Sequence, residues 1–131
     1  MKSHFHALVW IDNREAKIFR FNATDVEHSL VRSNHPEQHL HTKENSAGSG
    51  HAPVDHDYFQ RVTETLATAG AILIVGPGNG KTELMKHITQ HHSPLAGRIS
   101  AVQTVDHPQD GPLLALGRNF FKLDDRMHAQ V

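Results

Sequence analysis

The segment Gly76 to Thr82 contains the residue types that hold nucleotide phosphates in other proteins, because it reads Gly-Pro-Gly-Asn-Gly-Lys-Thr. Glycine N–H groups, a lysine ammonium and a threonine hydroxyl can together bind phosphate and magnesium. The phosphate-binding loop also needs a glycine five residues before Gly80, where this chain has Val75. Nucleotide binding by this turn is therefore one alternative. The other is that the glycines let the chain turn and that Lys81 is simply solvated.

Histidine is unusually frequent, with 13 residues, whereas cysteine is absent. His39 and His41 are two positions apart, a spacing that directs both side chains to the same side of an extended segment. Imidazole is a common zinc ligand, so these two residues are candidate metal ligands, and His35, His51 and His56 could join them. No carboxylate stands at a recognised spacing beside them, and incidental affinity for zinc or nickel is the competing interpretation.

Two carboxylates raise the possibility of metal-dependent nuclease chemistry. Asp12 follows the first predicted strand, and Glu64 lies on the first predicted helix. Cleavage of this kind needs several carboxylates that converge on two magnesium ions. The central predicted strand ends in Gly76 without an acidic residue, so convergence does not follow from the sequence. Asp12 is a candidate catalytic residue, with service in a hairpin turn as the alternative.

A polar tract from 32 to 56 lacks any helical or strand pattern. Connections of this length inside a small domain are uncommon and are usually functional or disordered. His51 is a second catalytic candidate, since an imidazole can orient water or donate a hydrogen bond. The candidate residues for binding RNA or phosphate are Lys43, Gly48, Gly50, His51, Lys81 and Lys86.

The apolar pattern predicts an α/β fold. Residues 71–75 form a continuous apolar run bounded by glycines, which is typical of a strand buried on both faces. Further strands are predicted at 5–11, 16–21, 26–31 and 99–105. Helices are predicted at 57–69, from a cap at Thr82 to about His92, and from Pro112. The order β-β-β, long loop, α-β-α-β-α indicates a ribonuclease-H-like mixed sheet flanked by helices.

Length and composition favour one domain over residues 1–131, with a polar tail at 124–131. The charged fraction is 21%, the apolar fraction 37% and the formal net charge -1. No global field would therefore hold nucleic acid by charge alone. No signal-peptide core or bilayer-length apolar run occurs, so we expect a cytoplasmic protein without a membrane partner. No cofactor is expected, and the oligomeric state stays open.

The order of elements and two segments resemble the middle domain of the archaeal and eukaryotic class-one peptide-chain release factors and of Pelota. The segments are Ala71-Ile72-Leu73-Ile74-Val75-Gly76 and Lys81-Thr82-Glu83-Leu84. In that family a buried strand ending in glycine leads into a helix that begins Lys-Thr-Glu-Leu. The resemblance covers roughly residues 5 to 122 by order of elements, and it implies a bacterial single-domain relative of the kind labelled a translational machinery protein.

In that family the loop before the first helix carries Gly-Gly-Gln, which helps water to cleave peptidyl-tRNA on the ribosome. The corresponding loop here reads Gly48-Ser49-Gly50-His51. The resemblance therefore implies a binding module, rather than an enzyme, for the ribosome or a structured RNA, with an auxiliary protein as a further partner. The alternatives are a hydrolase, either a metal-dependent nuclease or a peptidyl-tRNA hydrolase, and a nucleotide-binding protein that uses the turn at 76–82.

Overall fold

A computed structural model describes residues 6–22, 24–34, 55–106 and 108–128, and it describes the side chains of the last helix as far as Lys122. The strands are β1 His6–Ile11, β2 Glu15–Phe21, β3 Val26–Arg32, β4 Ala71–Gly76 and β5 Ile99–Thr104. The helices are α1 His56–Leu66, α2 Gly80–His91, the short α3 Ser93–Ala96 and α4 Asp110–His128.

The strands form one mixed sheet in the order β3-β2-β1-β4-β5. The β1–β2 and β2–β3 pairs are antiparallel, whereas β1–β4 and β4–β5 are parallel. The two antiparallel connections are short turns, and the parallel ones contain the helices, as chain geometry requires. The sequence-based prediction of a ribonuclease-H-like mixed sheet flanked by helices is confirmed.

The centre of the sheet is the parallel pair β1–β4, in which nearly every side chain is buried. Because side chains alternate between the faces of a strand, each of these strands contributes to two cores. Val9 and Ile74 lie in the core beneath α1 and α2. Trp10 and Val75 lie in the core beneath α4. The unbroken apolar run of β4 is thus explained by helices on both faces.

Several helix boundaries differ from the prediction. Helix α2 begins at Gly80, two residues before the predicted cap Thr82, and Asn79 occupies the N-cap position without a side-chain cap hydrogen bond. Helix α1 ends at Leu66, earlier than predicted, because the N–H of Ala67 bonds the carbonyl of Glu64 and tightens the last turn. Helix α4 starts at 110 and continues to 128, into the segment 124–131 predicted as a polar tail.

Gly76 is required by close backbone approach at the end of β4. A Cβ added at Gly76 would lie 2.2 Å from the carbonyl oxygen of Ile11, whereas one added at Gly78 would meet nothing within 4 Å. The neighbouring atom belongs to the backbone of β1, so it cannot move aside as a flexible side chain would. The glycine is therefore tied to the packing of the central strand pair.

We expect Gly76→Ala to destabilise the protein by about 1–3 kcal/mol, the usual range for an overpacked core. Chemical denaturation of Gly76→Ala beside Gly78→Ala measures this effect, since the second variant adds the same methyl group in open space. Equal denaturation midpoints for the two variants would contradict the close approach.

Candidate functional site

Hydrogen bonds join the two ends of the polar loop. Segment 35–54 connects β3 to α1. Asn34 is the last described residue before it, and Asp55 is the first described residue after it. The hydroxyl of Ser33 donates to Oδ2 of Asp55 over 2.6 Å, and Nδ2 of Asn34 lies 3.4 Å from Oδ2 of Asp57. The segment 35–54 therefore begins and ends at the same place on the molecule, which we call the loop base.

Asp55 connects the loop base to the helix that follows. Its Oδ1 accepts the backbone N–H of Tyr58 over 3.0 Å, which makes Asp55 the side-chain N-cap of α1. The Tyr58 hydroxyl donates to the carbonyl of Asp12 over 3.0 Å. Burial, with smaller contributions from Asp12 and Glu15, raises the pKa of Tyr58, so the phenol stays neutral and keeps donating. The start of α1 is thus bonded to the residues that directly follow β1 and β3, Asp12 and Ser33.

Three arginines surround the loop base, and the sequence pattern did not identify them. The carbonyl of Arg14 accepts the N–H of Ser33 over 2.8 Å. Arg61 donates to the carbonyl of Arg32 over 2.8 Å and to Asp57 over 3.0 Å. The side chains of Arg14 and Arg32 are exposed. Nε of Arg32 lies 3.6 Å from Oε1 of Glu15, so the loop base carries acidic as well as basic side chains.

The acidic candidates have structural partners. Oδ1 of Asp12 accepts the backbone N–H groups of Arg14 and Glu15 over 2.8 and 2.9 Å, which is the pattern of an Asx turn in the β1–β2 hairpin. Glu64 lies on α1 and accepts a hydrogen bond from Gln60 over 3.1 Å. These contacts explain both residues without metal ions, and they leave Asp12 a candidate for catalysis that rests on the sequence alone.

The glycine turn is found directly after β4, as predicted. Lys81 folds back, and its ammonium donates to the carbonyl of Gly78 over 2.6 Å. Lys86 is exposed and lies 3.9 Å from the carboxylate of Glu83 on the same helix. Gly80 packs against the backbone of Asp12, where an added Cβ would approach within 3.2 Å. Of the predicted binding residues, Lys81 and Lys86 thus both belong to α2.

The remaining predicted site residues lie outside the described part of the chain. They are the candidate metal ligands His39 and His41 and the candidate RNA-binding residues Lys43, Gly48, Gly50 and His51.

A cluster of three histidines lies where α1 meets α2. His56 is the first residue of α1, and His87 and His91 are one turn apart near the end of α2. One ring nitrogen from each lies within 4.8 Å of the other two. The ring centroids are 4.8 Å apart for His87 and His91, 5.9 Å for His56 and His87, and 6.1 Å for His56 and His91. We call these residues the histidine cluster.

Gln60 determines the tautomer of the buried member of the cluster. The amide nitrogen of Gln60 donates to the Glu64 carboxylate, which fixes the amide so that Oε1 faces the histidines. Oε1 lies 3.3 Å from Nε2 of His87 and 2.8 Å from Nε2 of His92. A carbonyl oxygen only accepts hydrogen bonds, so both Nε2 atoms carry the proton. The Nδ1 of neutral His87 is therefore left with a lone pair.

His87 is 6% exposed, and its Nδ1 has no hydrogen-bond partner among the described residues. Burial lowers the pKa of His87, and the neighbouring His91, His56 and His92 lower it further. The ring is therefore neutral at neutral pH. The pair His87–His91 has the four-residue spacing that places two histidines on one helix face, and this was the sequence signal that could have revealed the cluster.

Comparison with known sequences gives no assignment, since no protein-family model and no curated protein matches the chain. Solved structures do match. Pelota from Archaeoglobus fulgidus superimposes with a TM-score of 0.62 and 13% identity, over 87% of this chain and 30% of that chain. Pelota from Thermoplasma acidophilum gives a TM-score of 0.56 and 18% identity, over 81% and 29%.

The archaeal translation termination factor aRF1 also matches, with a TM-score of 0.50 and 12% identity, over 79% of this chain and 31% of that chain. The chain has the fold of one domain of Pelota. It spans about 30% of the length of the solved proteins it matches. The fold that the sequence resemblance implies is thereby confirmed. Among the described residues, no helix has the length and apolarity needed to cross a membrane.

The loop base makes a prediction about stability. Asp55→Ala removes the cap of α1 and a hydrogen-bond partner of the buried Ser33, so we expect a loss of about 1–2 kcal/mol, toward the upper end of measured N-cap effects. Asp57→Ala is the matched control, because it removes a neighbouring carboxylate whose two contacts, the ion pair with Arg61 and the 3.4 Å hydrogen bond from Asn34, are largely exposed.

Exposed ion pairs contribute about 0–1 kcal/mol, so Asp57→Ala should change the free energy of unfolding less than Asp55→Ala. Urea denaturation of both variants measures the difference. A larger loss in Asp57→Ala than in Asp55→Ala would show that the cap does not hold the loop base together.

Proposed function

We propose that this protein is a binding module for the ribosome or a structured RNA, that it uses the segment 35–54 as its contacting element, and that it lacks the hydrolytic Gly-Gly-Gln of the release factors. The proposal is supported by the fold, which is shared with Pelota and with a translation termination factor. It is also supported by the place of the segment, between the third strand and the first helix, where the related family carries its functional loop.

The loop base is the observation that carries the proposal. Ser33 and Asp55 close the two ends of the segment together, and the N-cap and the Tyr58 hydroxyl bind this closure to the sheet. Because the fold already orders the loop base, less conformational entropy is lost when a partner binds the loop. A long polar insertion is therefore held at one fixed position on a rigid body, as a recognition element requires.

Exposed arginines near the loop base support a partner that carries phosphates, and two of the three arginines there are also paired with the carboxylates of Glu15 and Asp57. Arg14 and Arg32 are exposed beside the base, and Lys86 is an exposed cation on α2, whereas the ammonium of Lys81 is bonded to the carbonyl of Gly78. Lys43 belongs to the segment itself. With a formal net charge of -1 the protein has no overall attraction for nucleic acid, so contact with phosphates must come from such local groups.

The decisive experiment is co-sedimentation of the protein with purified ribosomes over a range of salt concentrations. We expect the protein to pellet with ribosomes, to dissociate progressively as salt rises, and to leave ribosomal RNA and peptidyl-tRNA intact. A variant in which a Gly-Ser linker replaces residues 36–53 should keep the fold, because the loop base is retained, and should lose binding.

Charge variants refine the same measurement. Arg14→Ala and Arg32→Ala should each weaken binding. Each should also reduce the slope of the logarithm of the binding constant against the logarithm of the salt concentration by about 1, the contribution of one phosphate contact. Lys122→Ala on α4 is the control, since it removes an exposed cation far along the chain from the loop. Full binding by the Gly-Ser variant would refute the segment as the contacting element.

Two outcomes would instead identify the alternative functions. Magnesium-dependent RNA cleavage that is lost in Asp12→Asn would identify a nuclease, and ATP-dependent stabilisation that is lost in Lys81→Ala would identify a nucleotide-binding protein.

A further inference from the structure

The histidine cluster has the composition of a transition-metal site. His87 and His91 supply two imidazoles from one face of α2, and His56 supplies a third from the first turn of α1. The three ligand atoms already lie within 4.8 Å of one another. A tetrahedral ion with metal–nitrogen bonds of about 2.0–2.1 Å would hold its nitrogens about 3.3 Å apart. His56 and His91 are exposed, so small rotations of their side chains can close this gap.

The buried histidine is arranged as a ligand. Gln60 accepts a hydrogen bond from Nε2 of His87, and Glu64 in turn holds the amide of Gln60. Metal-binding histidines usually donate their other ring N–H to a neighbouring acceptor in this way, which orients the ring and fixes the tautomer. Nδ1 of His87 is left buried, deprotonated and without a partner among the described residues. Such a group is destabilising unless something binds it.

We propose that His56, His87 and His91 bind one divalent zinc-like metal ion, with Gln60 as the residue that orients His87. Three imidazole ligands without a carboxylate favour zinc, cobalt, nickel or copper over magnesium or calcium. Three protein ligands leave a fourth position, which water fills. His56 and His91 are exposed, so an ion can reach these two ligands directly from solvent.

Such a site would have a structural consequence for the loop base. His56 directly follows Asp55, so a bound ion would connect the returning end of the segment 35–54 to the last turn of α2. The proposal does not rest on the proposed function, because it depends only on the contacts between α1 and α2.

Zinc titration against a chromophoric chelator tests the site, on protein without an affinity tag and stripped of metal beforehand. We expect one tight equivalent of zinc in the wild-type protein, and an affinity at least 100-fold lower in His56→Ala/His91→Ala. Both substituted residues are exposed, so the fold should persist, and the thermal melting temperature without metal reports on this. Cobalt in place of zinc should show the visible absorption of a tetrahedral complex in the wild type and not in His56→Ala/His91→Ala.

Two control variants separate the cluster from the other histidines. His39→Ala/His41→Ala removes the ligands that the sequence suggested, and His28→Gln removes an exposed histidine on β3. Both should retain the tight equivalent. The proposal fails if the wild type has no tight equivalent, if His56→Ala/His91→Ala retains it, or if His39→Ala/His41→Ala loses it.

The role of Gln60 has its own test. Gln60→Ala should weaken zinc binding by roughly 10- to 100-fold while the stoichiometry stays at one, as is usual when a partner that orients a ligand is removed. Gln90→Ala changes the same residue type at an exposed position of α2 and should bind zinc as the wild type does. An unchanged affinity in Gln60→Ala would remove Gln60 from the site.

Discussion

The parallel pairing of β1 with β4 is the constraint on which the rest of the structure depends. Both strands are buried on both faces, so they must be covered by α1 and α2 on one side and by α4 on the other. Gly76 brings the end of β4 against the carbonyl of Ile11, and Gly80 brings the start of α2 against Asp12. Because the Tyr58 hydroxyl also bonds Asp12, the starts of α1 and α2 both take their positions from the end of β1.

Much of this architecture could be predicted because local patterns of apolar residues determine the strands and helices. The run at 71–75 requires burial on two faces, and the order of strands and helices then leaves few topologies. The ends of the helices were harder to predict from the sequence. The start of α2 at Gly80 depends on contact with Asp12, which is distant in the sequence. Nearby residues do not reveal this contact, so the hydroxyl of Thr82 looked like the helix cap. Tertiary contact, rather than the propensity of nearby residues, decides where that helix begins.

The candidate sites show the same division between local and distant information. The glycine turn and the hairpin turn at Asp12 were found where their residue types placed them. Of the histidine cluster only His56 was among the candidate metal ligands, and it was grouped with His39 and His41, because the members of the cluster lie on two helices and in two separated stretches of chain. The four-residue spacing of His87 and His91 is visible in the sequence, but its significance appears only when His56 is brought beside it and Gln60 beneath it. The arginines at the loop base escaped notice for the same reason.

The hydrogen-bonded loop base also bears on how the fold tolerates changes in the length of segment 35–54. Ser33 and Asp55 are hydrogen-bonded to each other, so the distance that segment 35–54 has to span is set by the sheet and α1. The entropy of closing a loop grows only with the logarithm of its length, at about 0.6 kcal/mol for each doubling. A longer or shorter connection between Asn34 and Asp55 should therefore change the free energy of unfolding little, as long as the hydrogen bonds of the loop base are kept.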